Sequence, residues 1–336
     1  MSDTYTTPTE APLLEVEDLF VEFRTRDGVA KVLNGVTYHV DAGETLAVLG
    51  ESGSGKSVTA QAIMGILDTP PAVVTGGEVR YHGENLLAVS EERRNEVRAE
   101  GVAMIFQDAL SALNPVYTVG FQIEEQLRVR LGMSRKDARA RAIELLDLVR
   151  IPNAARRVRQ YPHEFSGGMR QRAMIAMSLA LDPEVLIADE PTTALDVTVQ
   201  AQIMDLLKEI QTDRRMGLIL ITHDLGVVAE VADRISVMYA GRIVEHADAT
   251  SLYRNPGHPY TAALMDSLPR LDQKGTTLNT IKGLPPSLLN IPPGCPFHPR
   301  CSMATDRCSS EVPSDHGLGF GRTSKCHFAE ELVSRV

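Results

Sequence analysis

Gly50-Glu51-Ser52-Gly53-Ser54-Gly55-Lys56-Ser57 matches the phosphate-cradling pattern G-x-x-x-x-G-K-[ST] at every defined position. The apolar run Thr45 to Leu49 before it reads as a buried strand. Val58 to Leu67 after it has helical spacing and no Pro or Gly cluster. That order puts the loop at a helix N-terminus, where unpaired N–H groups and the positive end of the helix dipole face an anion. The glycines let the backbone fold tightly around it, Lys56 adds a full charge, and the Ser57 hydroxyl suits Mg²⁺.

With 336 residues, 43% hydrophobic and 23% charged, the chain has the composition of an ordinary globular protein with room for two domains. Its formal net charge of −10 speaks against a general nucleic-acid binder, so no nucleic-acid partner is expected. No apolar run reaches the roughly 18 residues of a membrane span. Met1 to Ala11 is polar and carries Asp3 and Glu10 where a signal peptide would have Lys or Arg and then an apolar stretch. A cytoplasmic location is expected, with membrane association only through a partner. The four cysteines, Cys295, Cys301, Cys308 and Cys326, crowd toward the C-terminal end. In a reducing compartment such a set points to a metal or an iron-sulfur cluster rather than to disulfides.

Leu13 to Phe23 and Lys31 to Val40 alternate as strands around a turn at Asp27-Gly28, and a second turn at Asp41-Ala42-Gly43 leads into the loop strand. Gly76 to Tyr81 reads as a further strand, and Val102 to Phe106 as a buried one ending at Gln107. Then the texture turns helical. Ser134 and Asp137 form a capping signal, and Ala138, Ala142, Leu145, Leu146 and Val149 share one face. Strand and helix alternate again from about Gly168. The strands are Val185 to Ala188, Leu218 to Thr222 and Arg234 to Met238; the helices lie near 168–181, 197–212 and 225–232. Beyond about Asp248 the chain is rich in Pro, Gly and Cys with few periodic runs. The expected fold class is α/β: a P-loop NTPase core with a mostly parallel sheet, an N-terminal antiparallel β flap, an inserted helical subdomain and a small Cys-rich C-terminal module. The expected bounds are a tail at 1–12, a nucleotide-binding domain at 13–246 with its helical part at about 108–165, and an extension at 247–336.

A phosphate loop needs a second carboxylate to hold Mg²⁺, and Asp189 stands at the carboxyl end of an apolar strand. Glu190, one residue on, can polarise an attacking water. His223 ends the next strand and can donate to a γ-phosphate oxygen. Gln107 can touch the metal or the water and report nucleotide state to the helical insert. Ser166-Gly167-Gly168 opens a helix as a second anion-binding turn. Two such turns in one chain suggest face-to-face pairing of subunits, each covering the nucleotide of the other.

The order of phosphate loop, Gln107, Ser166-Gly167-Gly168, Asp189-Glu190, Thr193-Ala194-Leu195-Asp196 and His223 resembles the nucleotide-binding subunit of ATP-binding cassette transporters, over roughly residues 13 to 245. The resemblance implies that Phe23 stacks on adenine, that Gly50 to Ser57, with Val58 behind them, bind the triphosphate, and that Gln107 couples to the membrane partner. It implies that Ser166 to Gly168 form the signature turn, Asp189 the Mg²⁺ carboxylate and Glu190 the catalytic one. Asp196 then faces the opposite subunit and His223 senses the γ-phosphate. Phe165 and Met169 depart from the commonest Leu and Gln beside the turn and leave it intact.

Asp108 to Pro115, Tyr161 to Arg172, His258-Pro259-Tyr260-Thr261 and Gly294 to Cys301 narrow the resemblance to the oligopeptide and dipeptide importer ATPases. In that family four cysteines of the C-terminal extension hold a [4Fe-4S] cluster, and Cys295, Cys301, Cys308 and Cys326 occupy those places. Their spacing of five, six and seventeen intervening residues lacks the paired C-x-x-C units of a zinc ribbon, so zinc fits less well. His298 and His327 read as bystanders to that group sooner than as groups supporting its ligands. The implied cofactors are ATP, Mg²⁺ and the cluster. The implied partners are a second ATPase subunit, a different homologous chain, together with two integral-membrane permease subunits and an extracytoplasmic peptide-binding protein. The implied location is the cytoplasmic face of the cell membrane. Import of nickel, glutathione or antimicrobial peptide, or a soluble ATPase without a membrane partner, are the alternatives.

Overall fold

The computed structural model describes residues 11–193, 195–267 and 281–334; most of the expected 1–12 tail lies outside them. Its centre is the strand β3, Thr45–Leu49, in which all five residues are buried. Leu46 and Val48 face one core while Ala47 and Leu49 face another. Burial on both faces is why this strand reads as an unbroken apolar run. β7 (Val185–Asp189) and β8 (Gly217–Thr222) are fully buried in the same way.

These strands belong to an eight-stranded sheet that also holds β6 (Val102–Ile105), β9 (Arg234–Tyr239), β10 (Arg242–Asp248), β11 (His316–Gly319) and β12 (Arg322–Ser324). The order is β11-β12-β10-β9-β3-β8-β7-β6. The five strands β9 to β6 run parallel, and the other three add antiparallel. The predicted mostly parallel sheet is present. Leu49 pairs with Thr222, and Asp189 with Ile221, so β3, β7 and β8 end together at one edge. Ligands of open α/β sheets sit at that edge.

The antiparallel flap is a second sheet, β2-β1-β4-β5, made of β1 (Leu14–Thr25), β2 (Gly28–Val40), β4 (Ala72–Tyr81) and β5 (Glu84–Asn85). Leu14, Val16 and Val36 of the flap meet Val48, Ile187 and Ile219 of the main sheet, with Ala60 and Ile63 of helix α1 (Lys56–Met64), in one buried cluster.

The other helices are α2 (Glu91–Glu100), α3 (Ala109–Ala112), α4 (Val119–Arg130), α5 (Arg135–Leu148), α6 (Ala154–Arg157), α7 (Gly167–Ser178), α8 (Val197–Arg214), α9 (Leu225–Val231), α10 (Ala249–Arg254), α11 (Pro259–Asp266), α12 (Asp306–Ser310) and α13 (Ala329–Val333). α3 to α6 form the helical stretch expected from the sequence. Ser134 caps α5 by accepting from the Asp137 N–H at 3.2 Å, and Ala138, Ala142, Leu145 and Leu146 are its buried stripe. Together with Val149 they join the larger core, whose other walls are α7, α8 and the second face of the sheet.

The C-terminal stretch, expected to stand apart as a module, instead adds β11 and β12 to the sheet. β12 pairs with β10 through Glu245↔Ser324 and His246↔Thr323. Phe297 and Tyr260 sit in the main core beside Tyr239, with ring centroids 4.6 to 5.3 Å apart. Aromatic burial, which strand or helix periodicity does not reveal, docks this segment.

Candidate nucleotide site

The phosphate loop follows β3 into α1, as its sequence predicts. A Cβ on Gly50 would stand 2.2 Å from the Met238 carbonyl oxygen, so only glycine lets the loop lie this close to β9. The Ser54 carbonyl accepts from the Gly241 N–H at 2.8 Å, which pins the back of the loop to the β9–β10 turn. The ammonium of Lys56, folded back over the loop, donates to the carbonyls of Gly50 and Glu51 at 2.8 and 3.0 Å. Burial lowers the Lys56 pKa, and Glu190, Asp189 and Glu51 oppose that shift. Ser54 Oγ is buried without a hydrogen-bond partner among the described residues.

A cavity of about 790 Å³ opens over the loop, and Glu51 to Gly53, Gly55 to Val58, Gln107, Glu190 and His223 contribute to its wall. This is within the usual size for a nucleotide-sized ligand. Ser57 Oγ donates to Asp189 Oδ1 at 3.0 Å, so the two groups assigned to Mg²⁺ already touch. Burial raises the Asp189 pKa and the Glu190 charge adds to it, against the Ser57 hydrogen bond. A divalent cation would relieve that penalty, and the donor set, a hydroxyl and a carboxylate, suits Mg²⁺.

Glu190 is held on three sides. Gln107 Nε2 donates to Oε2 at 2.9 Å, Thr193 Oγ1 donates to the same oxygen at 2.9 Å, and His223 Nδ1 lies 3.4 Å from Oε1. Gln107, Glu190 and His223 come from the ends of β6, β7 and β8, and sheet order brings them together. Thr193 went unassigned in the sequence; its signal was the spacing of three residues from Glu190 in the following turn.

The remaining predicted residues lie elsewhere on the chain. Ser166 caps α7 by accepting from the Met169 N–H at 3.4 Å, and its turn is exposed except for partly covered Gly168. Asp196 is exposed and caps α8 through the Val199 N–H at 3.0 Å. Neither lines the phosphate-loop cavity of its own chain. Phe23 is partly buried against the flap core, and the cavity wall on that side is Val32, Pro285 and Leu288.

Cys295, Cys301, Cys308 and Cys326 are free thiols lining one small cavity. Backbone N–H groups of Met303 and Phe328 donate to Cys301 and Cys326 sulfurs at 3.4 and 3.5 Å. Burial raises the Cys295 and Cys301 thiols and pushes Cys326 up to about 11. Among the described residues, no group of three or more His, Cys, Asp or Glu side chains converges on a single metal position. No helix among them is long and apolar enough to cross a membrane.

Residues 33–193 match the family described as ABC transporter, and residues 244–308 match the oligopeptide/dipeptide transporter C-terminal region. The chain is 49% identical over 333 residues to the oligopeptide transport ATP-binding protein OppD of Salmonella typhimurium, covering 97% of this chain and 98% of that one. It is 50% identical over 324 residues to the dipeptide transport ATP-binding protein DppD of Escherichia coli, covering 96% and 98%. A dimeric bacterial ABC transporter cassette superposes with a TM-score of 0.63 at 27% identity, covering 70% of this chain and 98% of that one. With the phosphate loop, the strand-end carboxylates and this end-to-end likeness together, the chain belongs to the ABC transporter ATPases of the oligopeptide/dipeptide importer family.

Proposed function

We propose that this chain hydrolyses ATP to power import of oligopeptides or dipeptides through a membrane permease. The observation that carries the reading is Glu190, clasped by Gln107, Thr193 and His223 over the phosphate loop, in a chain alike throughout to peptide-transport ATP-binding proteins. Loop N–H groups and Lys56 hold the phosphates. Ser57 and Asp189, with Gln107 at the rim, would hold Mg²⁺, which when bound offsets phosphate charge. Glu190 orients the attacking water and accepts its proton, and His223 donates to the γ-phosphate. Ser166, Gly167, Gly168 and Asp196 serve the site of a second ATPase chain, a different homologue, and that chain's equivalents complete this one. ATP-driven closure of the pair and its reopening after hydrolysis bias two permease subunits, which receive peptide from an extracytoplasmic binding protein.

Residues 13–246 act as the cassette, with about 108–165 meeting the permease at the cytoplasmic face of the membrane and 247–336 as the extension. Affinity purification from detergent-solubilised membranes should bring down integral-membrane subunits with the chain. Recovery of the chain from the soluble fraction alone would favour a non-transport ATPase.

The four cysteines are assigned to a [4Fe-4S] cluster, with zinc fitting less well. When bound, such a cluster holds thiolates in place and staples a segment poor in periodic structure. The shared cavity supports this, and the N–H donors on Cys301 and Cys326 partly oppose the burial that raises both thiols. Among the described residues, His327 Nδ1 is also buried without a hydrogen-bond partner. Iron and acid-labile sulfide should accompany anaerobically purified protein. Zinc at one equivalent without sulfide would replace the assignment.

A further inference from the structure

Arg300 lies in the turn between Cys295 and Cys301, far along the chain from the phosphate loop, and its side chain is only 5% exposed. Its two terminal nitrogens donate to the two carboxylate oxygens of Glu51 at 2.6 and 3.0 Å. This is the bidentate fork that suits a guanidinium and a carboxylate. One of those nitrogens also reaches Tyr239 Oη at 3.3 Å, and the guanidinium lies 5.8 and 6.0 Å from the ring centres of Tyr239 and Phe297. Its Nε donates to the Lys282 carbonyl at 3.1 Å. Aromatic rings and backbone therefore fix the fork before it meets Glu51.

Glu51, the second residue of the loop, is held from both sides. Its N–H donates to Tyr260 Oη at 2.9 Å, and its carbonyl accepts from Lys56. The same C-terminal segment sends Pro285 and Leu288 into the wall of the nucleotide cavity, and the Leu288 carbonyl accepts from the Lys31 N–H at 3.0 Å. A carboxylate beside a triphosphate pocket repels the ligand unless a cation neutralises it. Nothing in the loop can do so without drawing Lys56 away from the phosphates.

We infer that Arg300 is a positioning residue for the phosphate loop: it neutralises Glu51 and clamps the loop, so that nucleotide affinity depends on the cysteine-rich segment. This rests on ATP occupying the cavity over the loop. Pro285 and Leu288 make that dependence physical as well as electrostatic, because the segment that carries Arg300 also closes one side of the pocket.

Calorimetric titration of ATP into the full chain, with thermal melts alongside, tests it. Arg300→Met should weaken ATP binding about tenfold, the low end for losing a charge-assisted pair. Arg300→Lys, which keeps the charge without the fork, should fall between. Adding Glu51→Gln to Arg300→Met removes the exposed carboxylate and should recover part of the loss. Unchanged affinity in Arg300→Met, or a double variant weaker by the product of the single effects, would overturn the inference. A lowered melting temperature with full affinity would make Arg300 a staple only, and would also overturn it. If Arg300→Met does not fold, the same comparison with Arg300→Lys decides. Failure of the unaltered protein to bind ATP would instead sink the nucleotide reading beneath it.

Discussion

Glu190 has a backbone φ of 46°, in the left-handed region that non-glycine residues rarely enter, and its N–H is tied to the Ile221 carbonyl at 2.8 Å. Such a conformation costs about 1–3 kcal/mol and persists where the surroundings impose it. Here it swings the side chain off the strand and into the cavity, where three groups meet it. Replacing Glu190 with Gln keeps the shape and removes the base. ATP binding should survive while turnover falls about a hundredfold or more, the usual range for a positioned general base; equal turnover in a steady-state phosphate-release assay would reject the role. Lys56, Ser57, Asp189, Glu190, Gln107 and His223 were all readable from the sequence, since each sits at a strand end or in a motif of fixed spacing. Arg300 and Tyr260 were not read as loop residues. They reach Glu51 from 249 and 209 positions away, and no local pattern records a contact of that separation.

His258 caps α11: its Nδ1 accepts from the Tyr260 N–H at 3.0 Å, and the ring is fully enclosed. Burial pushes its pKa from 6.5 down to about 3. The unfolded ring takes up a proton below about pH 6.5 that the folded ring refuses until about pH 3. The stability this group contributes is therefore present above the unfolded value and is lost as pH falls through that window. Between about pH 7.5 and 5 the loss from this one group is about 2 kcal/mol. His258→Asn keeps an acceptor for the cap without the titration. Urea unfolding at both pH values should show a shallower acid dependence in that variant; parallel curves would contradict it. Elements such as β3, β7 and α5 were legible because burial imposes a period on them. α2 escaped notice because Val97 is its only buried residue, and it is held instead by the Ser90 cap and by Arg94 and Arg98 reaching neighbouring carbonyls. β11 and β12 are short, and β11 contains two glycines, so neither shows the alternation of a strand.

On the scale of the whole molecule, the sheet is built out of chain order. β10 is synthesised well before the hairpin β11–β12 that lies along its outer side, and until then its ladder of donors and acceptors has no cover. Bare strand edges template pairing with other chains. A polypeptide halted by premature termination before His316 would keep that template for good. In gel filtration it should run as higher assemblies that the full chain does not form, and a fragment matching the full chain in assembly state would show that the edge needs no shield. Nascent chains meet the same hazard briefly, and how long it lasts is set by the time the ribosome takes to travel from Asp248 to Ser324.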